Sequence, residues 1–420
     1  MGTLDRGVCA VRPGTDLGRH ARMLARVHDA LLAGDRPPAD PRGLVARSWN
    51  RVRAQGVNPD LGDPPGPLAA DEVERRRAGS PLAQVLPELR VALTSVADDA
   101  RHVMVVTDAD GVLLWREGST PVRRRADALG FTEGARWSED CVGTNAIGTA
   151  LAEDGPVQIF SAEHFVRSHH VWTCTASPMH DPRSGELLGV VDVSGPAETI
   201  HPTTVALVDT AVRLAEASLW RRHEGRLDAL RTVGAPMLAA VHGPGLVVDD
   251  HGWVAAVTGM PGLERVGVPA ADHPLAVHGV GLCLPEPVPG GWLLRPAGGT
   301  GRRMRLSLEL DARPPRAVVQ GTNRWVHPLS TRHAEVLVLL ARAGTSGLDA
   351  AALSRALYGD AEHLVTVRAE VSRLRRSLGG LLQARPYRIA SEIEVDAPGL
   401  PASRIVRDST APGIRALRAA

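Results

Sequence analysis

Apolar residues recur along the chain with changing spacing, and the changes mark its segments. Between Arg19 and Leu32, the positions Met23, Leu24, Val27, Leu31 and Leu32 predict an amphipathic helix. Arg36-Pro37-Pro38 breaks it, Pro41 is placed to open the next helix, and Leu44, Val45 and Trp49 share one side of that helix. Asp60 to Pro67 has the composition of a linker, and a helix from Ala69 carries Arg75-Arg76-Arg77 on a solvated face. After a further helix from Glu88 the pattern turns to short apolar runs. Val103–Thr107, Asp110-Gly111 and Val112–Trp115 predict a hairpin, and Ala146 to Leu151 a short helix. Strands follow at Val157–Phe160, Thr173–Met179 and Leu187–Val193, the last two joined through Asp181-Pro182-Arg183-Ser184-Gly185. Thr203 to Trp220, with Val205, Val208, Val212, Ala215 and Leu219 in register, predicts a long helix. This order predicts an α+β domain with an antiparallel sheet.

Residues 235–321 repeat the strand-turn-strand signal at Leu246–Val248 and Val254–Val257, with more short strands at Gly291–Arg295, Arg303–Leu310 and Ala317–Gly321. They predict a second, small α+β module. The last region is helical. Ser330 or Thr331 caps a helix to Ala343, Asp349 caps one to Tyr358, and a third runs from Leu364 to Leu378 before a strand region at Pro386-Tyr387-Arg388-Ile389. The expected organisation is a helical region at 1–87, domains at 88–222, 235–321 and 325–395, and a tail at 396–420. The fold class is multidomain α+β.

Composition narrows the chemistry. The chain holds 48 basic and 47 acidic residues, a formal charge of +1, and every basic residue is arginine. Without lysine these residues cannot supply the phosphate-binding loop of a P-loop ATPase, the strand lysine of a kinase or a Schiff-base amine. Cys9, Cys141, Cys174 and Cys283 form no CxxC, which argues against a disulfide framework or a zinc ribbon. The N-terminus lacks the pattern of a signal peptide and no apolar run is long enough to span a bilayer, so the expected location is cytoplasmic, away from membranes.

Charge is unevenly spread. From Arg324 to Ile389 there are ten arginines against five acidic residues. In the third C-terminal helix Leu364, Val367, Val371, Leu374 and Leu378 form the buried stripe, leaving Thr366, Arg368, Ser372, Arg373, Arg375 and Arg376 on the other side. With Arg385 and Arg388 in the following hairpin, this pattern predicts binding to double-stranded DNA: a helix in the major groove and a wing on the backbone.

The densest unusual stretch is Leu129 to Pro196. It sets Asn145, Glu163, His164, Trp172 and Cys174 beside glycines that allow close backbone approach, as a small-molecule pocket requires. An enzyme using Cys141 or Cys174 with His164, His169, His170 or His180 is the competing expectation, together with a redox, metal or haem-linked input through the same cysteines. The histidines and Cys174 show no standard zinc spacing.

Two resemblances sharpen these expectations. Trp137-Ser138-Glu139, Gly143-Thr144-Asn145-Ala146-Ile147-Gly148-Thr149, Glu163-His164-Phe165, Val171-Trp172-Thr173-Cys174-Thr175-Ala176-Ser177-Pro178 and Gly189-Val190-Val191-Asp192-Val193-Ser194-Gly195 resemble the GAF domain of bacterial activators of the acetoin-catabolism type. Leu44-Val45-Ala46-Arg47-Ser48-Trp49 resembles the segment that precedes it. Leu329-Ser330, Val371-Ser372-Arg373-Leu374-Arg375-Arg376 and Arg385-Pro386-Tyr387-Arg388-Ile389 resemble a response-regulator-type winged helix, and 235–321 falls where such proteins carry a PAS-like module. The resemblance implies a non-enzymatic, cofactor-free homodimer. Its GAF domain would sense a small organic effector and control a winged helix without the AAA+ ATPase that those activators carry. A GAF-fold thiol reductase and a protein-binding adaptor are the alternatives.

Overall fold

A computed structural model describes residues 7–60, 66–99, 101–271, 273–277, 280–296, 304–320, 324–391 and 393–418, with the side chains at 94–99, 304, 376 and 379 outside the description. Most of the expected linker, Arg303, Gly321 and the side chain of Arg376 therefore lie outside the described part. The chain forms two compact units, Met1–His223 and Glu224–Ala420, and is a mixed helix-and-sheet, multidomain protein.

The first unit begins with four helices: α1 (Leu17–Ala33), α2 (Gly43–Ala54), α3 (Ala70–Gly79) and α4 (Leu86–Asp99). Asp16 caps α1 by accepting from Arg19 N, and Gly34 ends it in the left-handed region. Strands β1 (Val103–Thr107), β2 (Leu113–Gly118), β3 (Val157–Phe160), β4 (Trp172–His180) and β5 (Leu187–Pro196) form an antiparallel sheet in the order β2-β1-β5-β4-β3. Helices α5 (Thr120–Asp127), α6 (Glu139–Val142) and α7 (Ala146–Glu153) fill the crossover between β2 and β3, and α8 (Thr203–Ala239) follows the sheet.

Strand alternation sorts the core. Met104, Val106, Met179, Val191 and Val193 point to one face and pack with Leu89 and Leu93 of α4 and Val208, Val212 and Ala215 of α8. Val105, Trp172, Ala176 and Val190 point to the other face, where they meet Val45, Trp49 and Val52 of α2, Val122 and Ala126 of α5, and Ile147 of α7. Helix α8 is longer than its apolar stripe predicts. It runs past Trp220 to Ala239, with Pro236 in its last turn.

In the second unit, β6 (Gly245–Val248), β7 (Val254–Thr258), β10 (Glu286–Val288) and β11 (Gly291–Leu294) make a sheet in the order β10-β11-β6-β7, and β8 (Leu275–Val277) pairs with β9 (Gly281–Cys283). Next come β12 (Met304–Glu309), β13 (Arg316–Gln320) and β14 (Arg324–Pro328), then helices α9 (Thr331–Ala343), α10 (Ala350–Tyr358) and α11 (Leu364–Leu378). Hairpin β15 (Leu382–Ala384) and β16 (Tyr387–Ile389), strand β17 (Ile393–Asp396) and short helices α12 (Arg404–Asp408) and α13 (Pro412–Arg415) complete the chain.

Two boundaries differ from expectation. β17 pairs in parallel with β12, from Met304 opposite Ile393 to Ser307 opposite Asp396, so β12 and β13, the last two strands assigned to the 235–321 module, share a sheet with the C-terminal region. Leu306, Leu308, Val319, Leu337, Val371 and Leu374 accordingly lie in one core. The segment expected as a tail is folded into that core as well: Ile405, Val406 and Ile414 are buried there, and Ser409 Oγ donates to the buried Glu335 carboxylate at 2.5 Å.

Candidate functional site

Between the sheet and the α5–α7 crossover lies a cavity lined by Ala126, Leu129, Phe131, Trp137, Asn145, Ala146, Ile147, His164, His169, Trp172, Cys174, Asp192 and Ser194. Its free volume is ≈ 20 Å³, room for about one water molecule. β4 and β5 supply the floor, because Cys174 lies opposite Ser194 and Ala176 opposite Asp192, and alternation turns all four to one side.

Four of the five residues expected in a pocket line it: Asn145, His164, Trp172 and Cys174. Their chemistry differs from a simple set of ligand contacts. Asn145 is committed to the backbone, with Oδ1 accepting from Gly148 N at 2.9 Å as the cap of α7 and Nδ2 donating to Gly143 O at 2.8 Å. His164 Nδ1 bonds Ser161 O at 3.0 Å, and burial pushes its pKa down to about 3, which holds the ring neutral. Cys174 has its thiol pushed well above the ordinary range by burial and by the nearby Asp192, the opposite of what a nucleophile needs.

Glu163 is elsewhere. Its carboxylate receives Arg42 Nε at 2.6 Å, Arg42 Nη2 at 2.8 Å and Phe160 N at 2.9 Å, so it ties the start of α2 to the end of β3 and does not line the cavity. In Glu163-His164-Phe165 the carboxylate reads as a pocket residue in sequence, but it is buried and its oxygens are taken by Arg42 and Phe160 N.

Of the residues lining the cavity, those with polar atoms left without partners are others. His169 Nδ1 and Nε2, Trp137 Nε1 and Asp192 Oδ1 are all buried and unbonded. Burial lowers the His169 pKa to about 4 and raises that of Asp192 to about 7, although Ser194 Oγ donates to Asp192 Oδ2 at 2.5 Å. Asp192 was detectable in sequence: it is the one charge in Gly189-Val190-Val191-Asp192-Val193, on the same strand face as Ser194.

These shifts set opposite pH limits on the first unit. The folded state holds the Asp192 proton that the unfolded state releases near pH 4, so stability falls as pH rises from about 4 to about 7. His164, His169 and His170 refuse protons that the unfolded chain takes up, so they subtract stability as pH falls below about 6.5. Asp192→Asn, which keeps the shape and removes the charge, is expected to melt several degrees above wild type at pH 8 and by a clearly smaller margin at pH 5. Thermal denaturation at the two pH values checks this.

A second candidate site lies in the second unit. A groove of ≈ 890 Å³ between α11, the start of α10 and the β15–β16 hairpin is lined by Asp349, Ala350, Arg368, Val371, Ser372, Arg375, Ala384, Arg385, Pro386 and Tyr387. Thr366, Arg368, Ser372, Arg373 and Arg375 are exposed on α11 and Arg385 at the hairpin tip. Within that set the guanidiniums are unequal. Arg373 Nη1 donates to Glu370 Oε1 at 2.7 Å, and Glu370 also lies 3.2 Å from His333. Arg388 is spent on Gln383 Oε1 and Thr345 O, which brace the hairpin. Arg368, Arg375 and Arg385 face the groove, Arg375 with one bond of 3.2 Å to Leu382 O. Thr366 lies outside the groove, and the side chain of Arg376 is not among those described.

Among the described residues no group of histidine, cysteine and acidic side chains is arranged to hold a metal ion, and no helix is long and apolar enough to cross a membrane.

Comparison with known proteins places these features in context. The family model for the N-terminal domain of MimR matches residues 25–216. The chain is 34% identical over 395 residues to a 47.3 kDa protein in the thcA 5′ region of Rhodococcus erythropolis, covering 92% of this chain and 74% of that one. Over 203 residues it is 35% identical to the acetoin dehydrogenase operon transcriptional activator AcoR of Bacillus subtilis, covering 48% of this chain and 33% of AcoR. It is also 33% identical over 183 residues to the propane 2-monooxygenase operon transcriptional activator MimR of Mycolicibacterium goodii, covering 43% of this chain and 30% of that activator. The chain thus spans about a third of the length of these two activators.

Proposed function

Because this chain belongs to the family of the 47.3 kDa Rhodococcus erythropolis protein, and shares its N-terminal half with operon activators, we propose that it is a cytoplasmic transcriptional regulator. The first unit is a GAF-type sensor of a small organic effector, and α9–α11 with the β15–β16 hairpin form a winged helix that reads double-stranded DNA. The protein hydrolyses no ATP. The observation that carries the DNA half is the groove in which Arg368, Arg375 and Arg385 from helix and hairpin converge. Arginine forks on an exposed helix suit a guanine edge, and an arginine on the wing suits phosphate. Two copies, paired through α8, set the spacing of two such helices on a paired site.

The sensing half rests on the unbonded polar atoms of Trp137, His169 and Asp192 in an otherwise apolar cavity. A neutral imidazole, an indole N–H and a carboxyl near its titration point favour an uncharged partner bearing hydroxyl or carbonyl oxygen. A thermal-shift screen of small neutral ketones, diols and hydroxyketones of up to about four carbons tests it, since so small a cavity must move a wall even for these and larger molecules demand more. One compound class should raise the melting temperature of wild type and have no effect on His169→Ala. Equal shifts in both proteins, or none in wild type, would contradict the sensor assignment.

A further inference from the structure

An effector larger than a water molecule cannot enter the cavity unless one of its walls gives way, and the walls are unequally held. The floor is the paired β4–β5 ladder. The α6–α7 wall is locked from below: Glu139 accepts from Arg51 Nε at 2.7 Å, Ser48 Oγ at 2.6 Å and Thr149 Oγ1 at 2.9 Å. Its Gly148 packs so closely that a Cβ there would stand 2.6 Å from Glu139 N. The wall carrying His164 and His169 is pinned by Arg42 on Glu163, by Trp49 Nε1 on Glu163 O and by His28 on Phe165 O.

The fourth wall is α5 and the turn after it, which bring Ala126, Leu129 and Phe131 to the cavity. It is lightly anchored. Only Val122 and Ala126 of α5 are buried, and Ser119 at its N-cap makes no side-chain capping bond. Arg116 ties its end by bonding Asp127 at 2.5 Å and Phe131 O at 2.6 Å. Arg123, Arg124 and Arg125 are exposed and join no ion pair among the described residues. The segment is bracketed by glycines with positive φ, Gly118 at +149° and Gly130 at +66°, conformations in which other residues are strained. At Gly118 a Cβ would also meet His102 O at 2.6 Å. Phe131 packs edge-on against Trp137 at 4.4 Å, and the Arg125 guanidinium closes the wall against the floor, standing 5.8 Å from the centre of the Trp172 ring, within cation–π range.

We infer that residues 119–129 are the lid of the cavity, with Gly118 and Gly130 as hinges and Arg125 on Trp172 as the latch. Opening swings Ala126 and Leu129 away from the floor and exposes Cys174 and Asp192 to an entering molecule. Arg125 is thus a positioning residue that sets how often the site is open. The inference rests on the reading of this cavity as a ligand site, but its test needs no ligand.

Cys174 in the cavity wall is half-buried, so the rise of its modification rate above that of wild type is what reports opening. The full-length protein is treated with methyl methanethiosulfonate, a small neutral thiol reagent, and the modification rate at each cysteine is followed by peptide mass spectrometry. Arg125→Ala is expected to raise the rate at Cys174 about threefold or more. Arg116→Gln, which frees the other end of the lid, should raise it too, while Arg124→Ala beside the latch leaves it unchanged. Cys283, buried in the second unit, and the melting temperature should stay as in wild type. A Cys174 rate unchanged in both Arg125→Ala and Arg116→Gln would overturn the lid, and so would a rise in Arg125→Ala that comes with a lowered melting temperature of the first unit, which reports unfolding. Loss of DNA binding or of effector response bears on the function proposed above and leaves this result standing.

Discussion

Replacing Arg368 and Arg375 together by alanine is expected to lower the affinity of the full chain for the proposed DNA site about a hundredfold or more. It also reduces the slope of log affinity against log salt concentration by about two. Both side chains face the groove and are exposed, so each can give its charge to a phosphate or its fork to a base edge. Arg373→Ala is expected to have a smaller effect, because its guanidinium is already shared with Glu370. Arg388→Ala should act differently: by freeing Gln383 and Thr345 O it loosens the hairpin, so affinity falls while the salt slope changes little. Fluorescence anisotropy across a salt series separates these outcomes. An unchanged slope in the Arg368/Arg375 double variant would remove α11 from the interface.

The largest effect on stability is expected at Arg51. Glu139 is buried, and its carboxylate is satisfied by Arg51, Ser48 and Thr149 together, while Arg51 also bonds Glu153 at 2.7 Å. The hydrogen bond to Glu139 does most to raise the Arg51 pKa, so this is the dominant pair. Arg51→Ala leaves a buried carboxylate with two hydroxyls for company. The expected cost is about 3 kcal/mol, or a melting temperature lower by roughly 6–12 °C for a unit of this size. Arg51→Met with Glu139→Leu should recover much of the loss, since apolar replacement of both partners removes the desolvation penalty along with the pair. Chemical denaturation of the three proteins measures this. Equal stability of Arg51→Ala and wild type would mean that the network does not hold α2 to the crossover.

That network also explains why the helices before the sheet belong to the first unit. Ser48, Trp49 and Arg51 of α2 all bond to residues on the far side of the first unit, and His28 of α1 reaches Phe165 O at 2.9 Å. The matched family region likewise begins at residue 25, within α1. A boundary at residue 87 set by change of pattern misses this, because the contacts that unite the pieces are between residues about a hundred positions apart.

Locally encoded features were legible. The Ser330 and Asp349 caps, the helix from Leu364 to Leu378 and strands at Val103–Thr107 and Val157–Phe160 stand where spacing and capping place them. Features set by distant pairing were not. The parallel register of Met304 with Ile393 leaves no local trace, and α12 and α13 have five and four residues, too short to announce themselves without the core they pack on. In the cavity, residue type was a fair guide to position and a poor guide to role. Asn145 reached the wall as a helix cap, Glu163 was taken by Arg42, and Asp192 went unmarked because it sits in an apolar strand. In the C-terminal helix the pattern located the exposed face, but only geometry distinguished the groove-facing Arg368 and Arg375 from Arg373.

The measurement that bears most directly on the proposed regulator is selection of genomic DNA fragments by the purified full-length protein, with the Arg368→Ala/Arg375→Ala variant in parallel. A recurrent two-part sequence enriched by wild type and lost in the variant is the expected result. No enrichment at low salt, with or without a small-molecule cell extract, would contradict DNA reading by α11.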